Sequence, residues 1–288
     1  MQINQITIIG VGLIGGSFAK GIKALGGVAK VTGYDPNEDS LKKAVTLGVL
    51  DDYETTLAKA VADADLVMLA VPLGVMPVVL TEMRPFLKEK AILTDVGSAK
   101  VSVINAVEQS FGEAYPYFVA GHPIAGKEKS GVEAASKSLF QAHKVILTPT
   151  DSTDPKALTV VKDLWASLGA CVTEMDPEYH DEVLAATSHL PHLLAFSLVD
   201  LLNDHEELGN VFQYTAGGFR DFTRIASSDA TMWRDIALNN SDAIVKWLRN
   251  YQVEIDRIIG LIEGNQADAL YDLFHRAKTA RDTHIVKQ

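Results

Sequence analysis

Residues 6–22 read ITIIGVGLIGGSFAKGI: a short apolar run, then Gly10, Gly12 and Gly15 in the spacing GxGxxG, then the start of a helical pattern. A strand that passes into a helix through such a loop opens a βαβ unit. Each glycine has its own physical reason. Gly10 permits the tight turn, Gly12 lets the backbone approach a pyrophosphate, and Gly15 lets helix and strand pack closely. The helix opens at Leu13 and Ile14, where free N–H groups and the positive dipole end face the phosphates. The next apolar run, AKVTGYD, ends in Asp35, twenty residues after Gly15. A carboxylate there accepts from the adenosine ribose hydroxyls and repels a 2′-phosphate, which favours NAD over NADP. Alone, Asp35 also reads as a turn aspartate before Pro36. Joined to the glycines, it reads as part of a dinucleotide site.

Outward from this turn, apolar runs bounded by turn residues recur: DLVMLAVP, AILTDVG, YFVAGHP and KVILTPT. Such runs fit strands buried on both faces, and the amphipathic stretches between them, SLKKAVTLG and VINAVEQSFG, fit crossover helices. The pattern predicts a Rossmann-type, doubly wound parallel sheet. Ligands bind outside the carboxyl ends of the strands in such a sheet. That points to Val71 and Pro72 after one strand, and to Asp95, Gly97 and Ser98 after the next. Ser98 also reads locally as the N-cap of the helix AKVSVINAVEQ, a position that still offers a hydroxyl to a substrate. YFVAGHP is the next strand end along, which sets His122 on the rim of a nicotinamide cleft.

The composition excludes other classes. The chain has 288 residues, long for one compact domain, with 47% apolar and 22% charged residues, so it folds. A net charge of −11 with no basic run argues against nucleic acid. No targeting segment is visible at the start. Cys171 is the single cysteine, which excludes an internal disulfide and fits a reducing compartment. The apolar stretch Leu66–Leu80 is interrupted by Pro72, Gly74 and Pro77 and is too short to span a bilayer. These features read as a soluble cytoplasmic protein.

From Asp176 onward the pattern becomes almost wholly helical, so the expected domains are 1–173 for the dinucleotide and 174–288 for an all-α segment. Within the apolar run 181–203, Pro191 cannot donate to the carbonyl of Thr187 and should kink the helix. His189 and His192, three apart, share a face. They read as core histidines, a substrate-facing pair or a metal pair, and without a third ligand the metal reading is weak. Further on, Ile244, Leu248, Tyr251, Ile255, Ile258 and Ile262 form a narrow apolar seam that needs a facing helix, in the same chain or in a second copy. Between these segments lies TAGGFRDFTRIASSDATMWRDI, dense in arginine, the side chain suited to gripping a carboxylate.

Together, GHPIAGKEKSG, SHLPH and GGFRDFTRIASSDATMWRDI behind an N-terminal GxGxxG resemble the prephenate and arogenate dehydrogenases of tyrosine biosynthesis, over essentially the whole chain. The resemblance implies a nicotinamide-dependent oxidative decarboxylation and a homodimer through an all-α C-terminal dimerisation domain. It implies that His122 is the catalytic base, with Ser98 beside the same substrate hydroxyl, His189 and His192 on the substrate and Arg224 on a substrate carboxylate. It also implies that Gly217 and Trp233 approach the partner subunit's site, and that Glu128, Arg220 and Asp221 gate the entrance. Ala216 departs from the family pattern, since relatives often carry a third glycine there. Prephenate and arogenate stay open as substrates, with Glu128 or Lys127 able to tilt the choice, and any tyrosine inhibition is expected at the active site. A β-hydroxyacid or ketol-acid dehydrogenase would present a lysine in the long helix where this chain has SHLPH. A regulatory module with a dead site would lack the histidine or the arginine.

Overall fold

The computed structural model describes residues 3–126, 129–205, 207 and 209–285. Strands and helices alternate through β1 (Gln5–Ile9), α1 (Leu13–Leu25), β2 (Lys30–Tyr34), α2 (Glu38–Thr46), β3 (Asp52–Tyr53), α3 (Leu57–Ala62), β4 (Leu66–Leu69), α4 (Met76–Met83), β5 (Ile92–Asp95), α5 (Lys100–Phe111) and β6 (Phe118–Val119). These six strands make one parallel sheet in the order β3-β2-β1-β4-β5-β6, the doubly wound arrangement expected. Its strands are buried on both faces: Ile6, Ile8, Leu66, Met68, Ile92 and Leu93 have no exposed surface. Such burial requires apolar residues at consecutive positions, not alternate ones, which is why the runs read as continuous.

The stretch YFVAGHP differs from expectation. It is two strands, not one, because the chain turns at Ala120 and changes sheets. β7 (Gly121–Pro123) leaves the parallel sheet and joins β8 (Lys144–Leu147), which is followed by α6 (Pro155–Ser167) and β9 (Cys171–Glu174). In this second sheet, ordered β7-β8-β9, β7 runs antiparallel to β8 while β9 runs parallel to it. A three-residue strand is too short to announce itself by periodicity. The core beneath is closed by aromatic packing, with Phe18 and Phe140 each 4.9 Å edge-on to the fully buried Trp165.

The helical segment begins with α7 (Pro177–Leu184), passes through one π-helical turn (Ala185–His189) and continues as α8 (Leu190–Asn203). The π turn ends two residues before Pro191, whose missing N–H interrupts the α-helical ladder at Thr187; the structure shows this interruption as a π turn where the sequence led to the expectation of a kink. The continuous run Pro177–Asn203 is, by length and composition, apolar enough to cross a membrane, and is longer than the Leu66–Leu80 stretch. Its buried polar groups His180, Asp181 and His189 are nevertheless hydrogen-bonded to one another or to neighbouring elements of the fold.

Beyond it lie α9 (Gly217–Thr223), α10 (Ala230–Asn239), α11 (Ser241–Glu263) and α12 (Ala267–His284). The chain divides into two compact units at residues 241 and 242. In the second unit the seam of α11 is partly uncovered: Ile244 is buried and Leu248 and Ile258 are half-buried, whereas Tyr251 and Ile255 are each 42% exposed and Ile262 is 60% exposed. Ala216, the N-cap of α9, has φ −98° and ψ −179°, extended backbone open to any residue, so the missing third glycine costs nothing there.

Candidate active site

The glycine turn is built by close approach. Gly10 has φ +92°, and a Cβ on it would lie 2.4 Å from the Ala70 carbonyl oxygen. A Cβ on Gly15 would lie 2.3 Å from the Gly10 carbonyl oxygen and 2.9 Å from Ile8, so helix and strand meet there with no space for a side chain. Gly12 is different: a Cβ on it would meet nothing within 4 Å. The protein itself therefore does not need glycine at position 12, and the open space lies at the N-cap of α1, above the free amides of Leu13 and Ile14. Open space over uncapped amides could hold a phosphate group. Asp35 lies beside it, accepting from Val11 N at 3.1 Å and from Asn37 N at 2.9 Å, so the carboxylate serves its own turn and faces the glycine loop as well. Val71 borders Gly10, and Pro72 caps the following 3₁₀ turn (Leu73–Val75).

Next along the sheet edge is a fully buried ion pair. Asp95, at the end of β5, accepts from Lys100 Nζ, from Gly97 N at 2.7 Å and from Gly121 N at 3.0 Å, while Lys100 Nζ also donates to the Gly121 carbonyl at 2.7 Å. Burial pulls the Lys100 ammonium below the usual lysine range, against the charges of Asp95 and Asp181. Both peptide groups of Gly121 are thereby clamped, and His122 is the next residue.

His122 sits inside β7, opposite Ile146, and is only 8% exposed, so it is buried and not on an open rim. Its Nδ1 is 2.9 Å from His180 Nε2, and His180 Nδ1 is 2.8 Å from Asp181 Oδ1. Asp181 also accepts from Lys100 N at 2.7 Å and Val101 N at 3.0 Å. The N-cap of α5 is thus Ala99, with the carboxylate of Asp181 capping from a different helix, and Ser98 is not the cap. Ser98 lies half-buried just before it, its hydroxyl free of hydrogen bonds to the described residues. Burial, with His180, Lys100 and His189 adding to it, lowers the pKa of His122 well below the ordinary histidine value, so the ring is neutral at cellular pH.

The helical segment supplies the facing wall. His192 stacks on Trp233 at 3.9 Å between centroids, and His189 lies edge-on to the same ring at 6.1 Å. Trp233 is thus packed on histidines of its own chain. Asn240 Nδ2 donates to the Asp181 carbonyl at 2.8 Å and lies 3.2 Å from His189 Nδ1. His189 Nε2 and Trp233 Nε1 are both buried without a partner among the described residues. Burial pushes His189 down to about 4, despite Asp181. His192 is lowered by burial as well, and the charge of Arg224 lowers it further. Asp235 ties this wall to the sheet edge: it accepts from Gly74 N at 3.0 Å and from Arg234 at 2.7 Å. Burial pushes its carboxyl up, and those two donors outweigh it and hold it low.

Gly217 opens α9 and is exposed, as are Arg220 and Asp221, which form no ion pair with a described residue. Glu128 and Lys127 lie outside the described residues. Sequence reasoning missed His180, Asp181 and Lys100. Lys100 carried a signal, since a cation in the first turn of a helix opposes the helix dipole.

A dinucleotide-type sheet with a buried, neutral histidine held beside the end of β5, and with two buried polar atoms lacking a described partner in the helical segment, is the architecture of a nicotinamide-dependent dehydrogenase. Over residues 18–174 the chain matches the family model for the prephenate dehydrogenase nucleotide-binding domain, and over 176–276 that for the prephenate dehydrogenase dimerization domain. It is 37% identical over 279 residues to the cyclohexadienyl dehydrogenase of Zymomonas mobilis, covering 96% of this chain and 94% of the relative. It is 40% identical over 287 residues to the prephenate dehydrogenase of Bacillus subtilis, covering 99% of this chain and 77% of the relative. A crystal structure of prephenate dehydrogenase from A. aeolicus, in complex with hydroxyphenyl propionate and NAD+, superposes with a TM-score of 0.92 at 40% identity, covering 98% of this chain and 99% of that one. The chain belongs to the prephenate dehydrogenase family.

Two measurements check this geometry. Gly15→Ala should cost about 1–3 kcal/mol in denaturant unfolding through overpacking, whereas Gly12→Ala should leave the unfolding midpoint unchanged and weaken NAD binding at least roughly tenfold, about 1.4 kcal/mol. Equal effects of the two on stability would contradict the assignment of the open space. Stability itself should fall as pH drops from 7.5 to 5. The unfolded chain takes up protons on its histidines near 6.5, while the native protein refuses them at His122, His189 and His192 until lower pH, near 4 for His189. A flat midpoint over that interval would show that these rings are not held neutral.

Proposed function

We propose that this protein is an NAD-dependent prephenate dehydrogenase, converting prephenate to 4-hydroxyphenylpyruvate by oxidative decarboxylation with His122 as general base. The observation that carries the reading is a buried, neutral His122 with its outer nitrogen, Nε2, unpartnered among the described residues, held one peptide beyond the clamp at the end of β5. The substrate is a cyclohexadienol whose quaternary carbon bears a carboxylate. His122 takes the hydroxyl proton, which requires a neutral imidazole. Ser98, with its hydroxyl uncommitted to a cap, sits beside the same hydroxyl. NAD, when bound, supplies the hydride acceptor; Gly10, Gly12, Gly15 and the Leu13 and Ile14 amides would hold its phosphates, Asp35 its ribose, and Val71, Pro72 and Ser98 would border it. Arg224 grips a substrate carboxylate, and its electrostatic influence on His192 supports that placement. His189, His192 and Trp233 form the wall, with the unpartnered His189 Nε2 and Trp233 Nε1 available to substrate oxygens. Loss of carbon dioxide then aromatises the ring and makes the step effectively irreversible.

In this reading residues 1–173 bind the dinucleotide and 174–288 bind substrate and pair two copies, with the partly uncovered α11 seam as a contact and Gly217 near the site. Glu128, Arg220 and Asp221 gate the entrance, tyrosine inhibits by occupying the active site, and the enzyme works in the cytoplasm. A second reading, a cyclohexadienyl dehydrogenase that also accepts arogenate, is favoured by the Zymomonas relative's name.

Steady-state kinetics of two variants test the assignment. His122→Asn should lower kcat by about 10²–10⁴, the contribution of a general base, with KM and NAD affinity within about twofold; retained turnover removes His122 from the chemistry. Arg224→Ala should raise KM roughly ten- to a hundredfold, as the loss of a charged hydrogen bond does; an unchanged KM sinks its role.

A further inference from the structure

The chain His122–His180–Asp181 leads from the proposed base to the capped end of α5, and its hydrogen bonds have only one consistent direction for a base at His122. We propose that His180 and Asp181 are positioning residues that fix His122 as the tautomer protonated on Nδ1, leaving Nε2 as the basic nitrogen. This rests on the reading of His122 as the base.

The direction is set at the Asp181 end. A carboxylate only accepts, so His180 Nδ1, at 2.8 Å from Oδ1, must be the donor. A neutral His180 protonated on Nδ1 has its lone pair on Nε2, and that nitrogen lies 2.9 Å from His122 Nδ1. His122 Nδ1 is then the donor of that bond, and the remaining lone pair of His122 is on Nε2. The opposite direction would put a proton on His180 Nε2 and on His122 Nε2 alike, and a protonated Nε2 is no base. Nothing else described competes for these bonds: His180 has no exposed surface, and no other described group lies within hydrogen-bond distance of either nitrogen.

Asp181 in turn is held through both its carboxylate and its carbonyl. Its two oxygens receive the first amides of α5, Lys100 N and Val101 N, and its carbonyl receives Asn240 Nδ2. The same α5 turn carries Lys100, whose ammonium clamps the Gly121 carbonyl one residue before His122. Backbone and ring of His122 are therefore positioned from one helix end by two routes, Lys100 through Gly121 and Asp181 through His180. When His122 takes a proton, its new charge faces a hydrogen-bonded relay that ends in the Asp181 carboxylate, which stabilises it without any side chain having to move.

The test uses the full-length protein labelled with ¹⁵N on histidine. Two-bond ¹H–¹⁵N correlation spectra should show His122 and His180 each protonated on Nδ1 at neutral pH, with the His122 resonance identified by its loss in His122→Asn. A proton on His122 Nε2 overturns the proposal, whatever the variants do. In kinetics, His180→Ala should lower kcat roughly ten- to a hundredfold, less than the loss of the base itself, with KM and NAD affinity within about twofold. His180→Gln, whose amide oxygen can still accept from His122 Nδ1, should recover part of that loss. If His122→Asn abolishes turnover while folded His180→Ala keeps it, the positioning role is wrong and the base stands. If His122→Asn keeps turnover, the base reading itself fails, and the spectra alone decide the direction of the relay.

Discussion

The pair Asp95 and Lys100 has no exposed surface on either side chain, and the architecture of the site is organised around it. Removing one partner of such a pair strands a charge in the interior at a cost of several kcal/mol, so the two are retained or lost together. Asp95 ends a strand of the parallel sheet, Lys100 opens the helix that follows it, and both bind the peptide groups of Gly121 in the second sheet. The two sheets are thus joined at the point where the chain passes between them. A lysine in the first turn of a helix is unfavourable with the dipole. Asp181 answers that cost by capping the same turn from α7, and so brings the helical segment to the same place.

This arrangement explains why three histidines are held without charge in a protein of net charge −11. The acidic residues are mostly at the surface, where water screens them. Around His122, His189 and His192, burial outweighs every attraction that would favour a proton. Asp235 adds a mechanical link, tying the turn after β4 to the helix that carries Trp233. The parallel-sheet region and the helical segment are therefore fastened by side-chain to backbone bonds at separate points, through Asp181 and through Asp235.

Much of the fold was legible in the sequence because its signals are local. The glycine turn needs particular residues at particular positions, and strands buried on both faces need unbroken apolar runs. The change of sheets at Ala120 was not legible, since β6 and β7 are two and three residues long and carry no period. At the site, Asp35 announced itself by following a readable strand, whereas His122 follows an apolar run but sits inside the short β7 of the second sheet, not at the strand end expected. His180 and Asp181 did not announce themselves, because their importance comes from contacts 58 and 81 residues distant along the chain. Ser98 was misread as a cap for the same reason: the side chain that satisfies the helix end comes from another element. Gly12 shows the converse, a local rule whose reason becomes visible only when the space above it is found open.

The most direct measurement is the wild-type reaction itself: purified protein with prephenate or arogenate, each with NAD or NADP, following reduced cofactor and released carbon dioxide together. Prephenate should give reduced NAD and carbon dioxide in equal amounts, with a much slower reaction with NADP, because the Asp35 carboxylate proposed to meet the adenosine ribose would repel a 2′-phosphate. Absence of turnover with both substrates, or cofactor reduction without carbon dioxide, would contradict the proposed function.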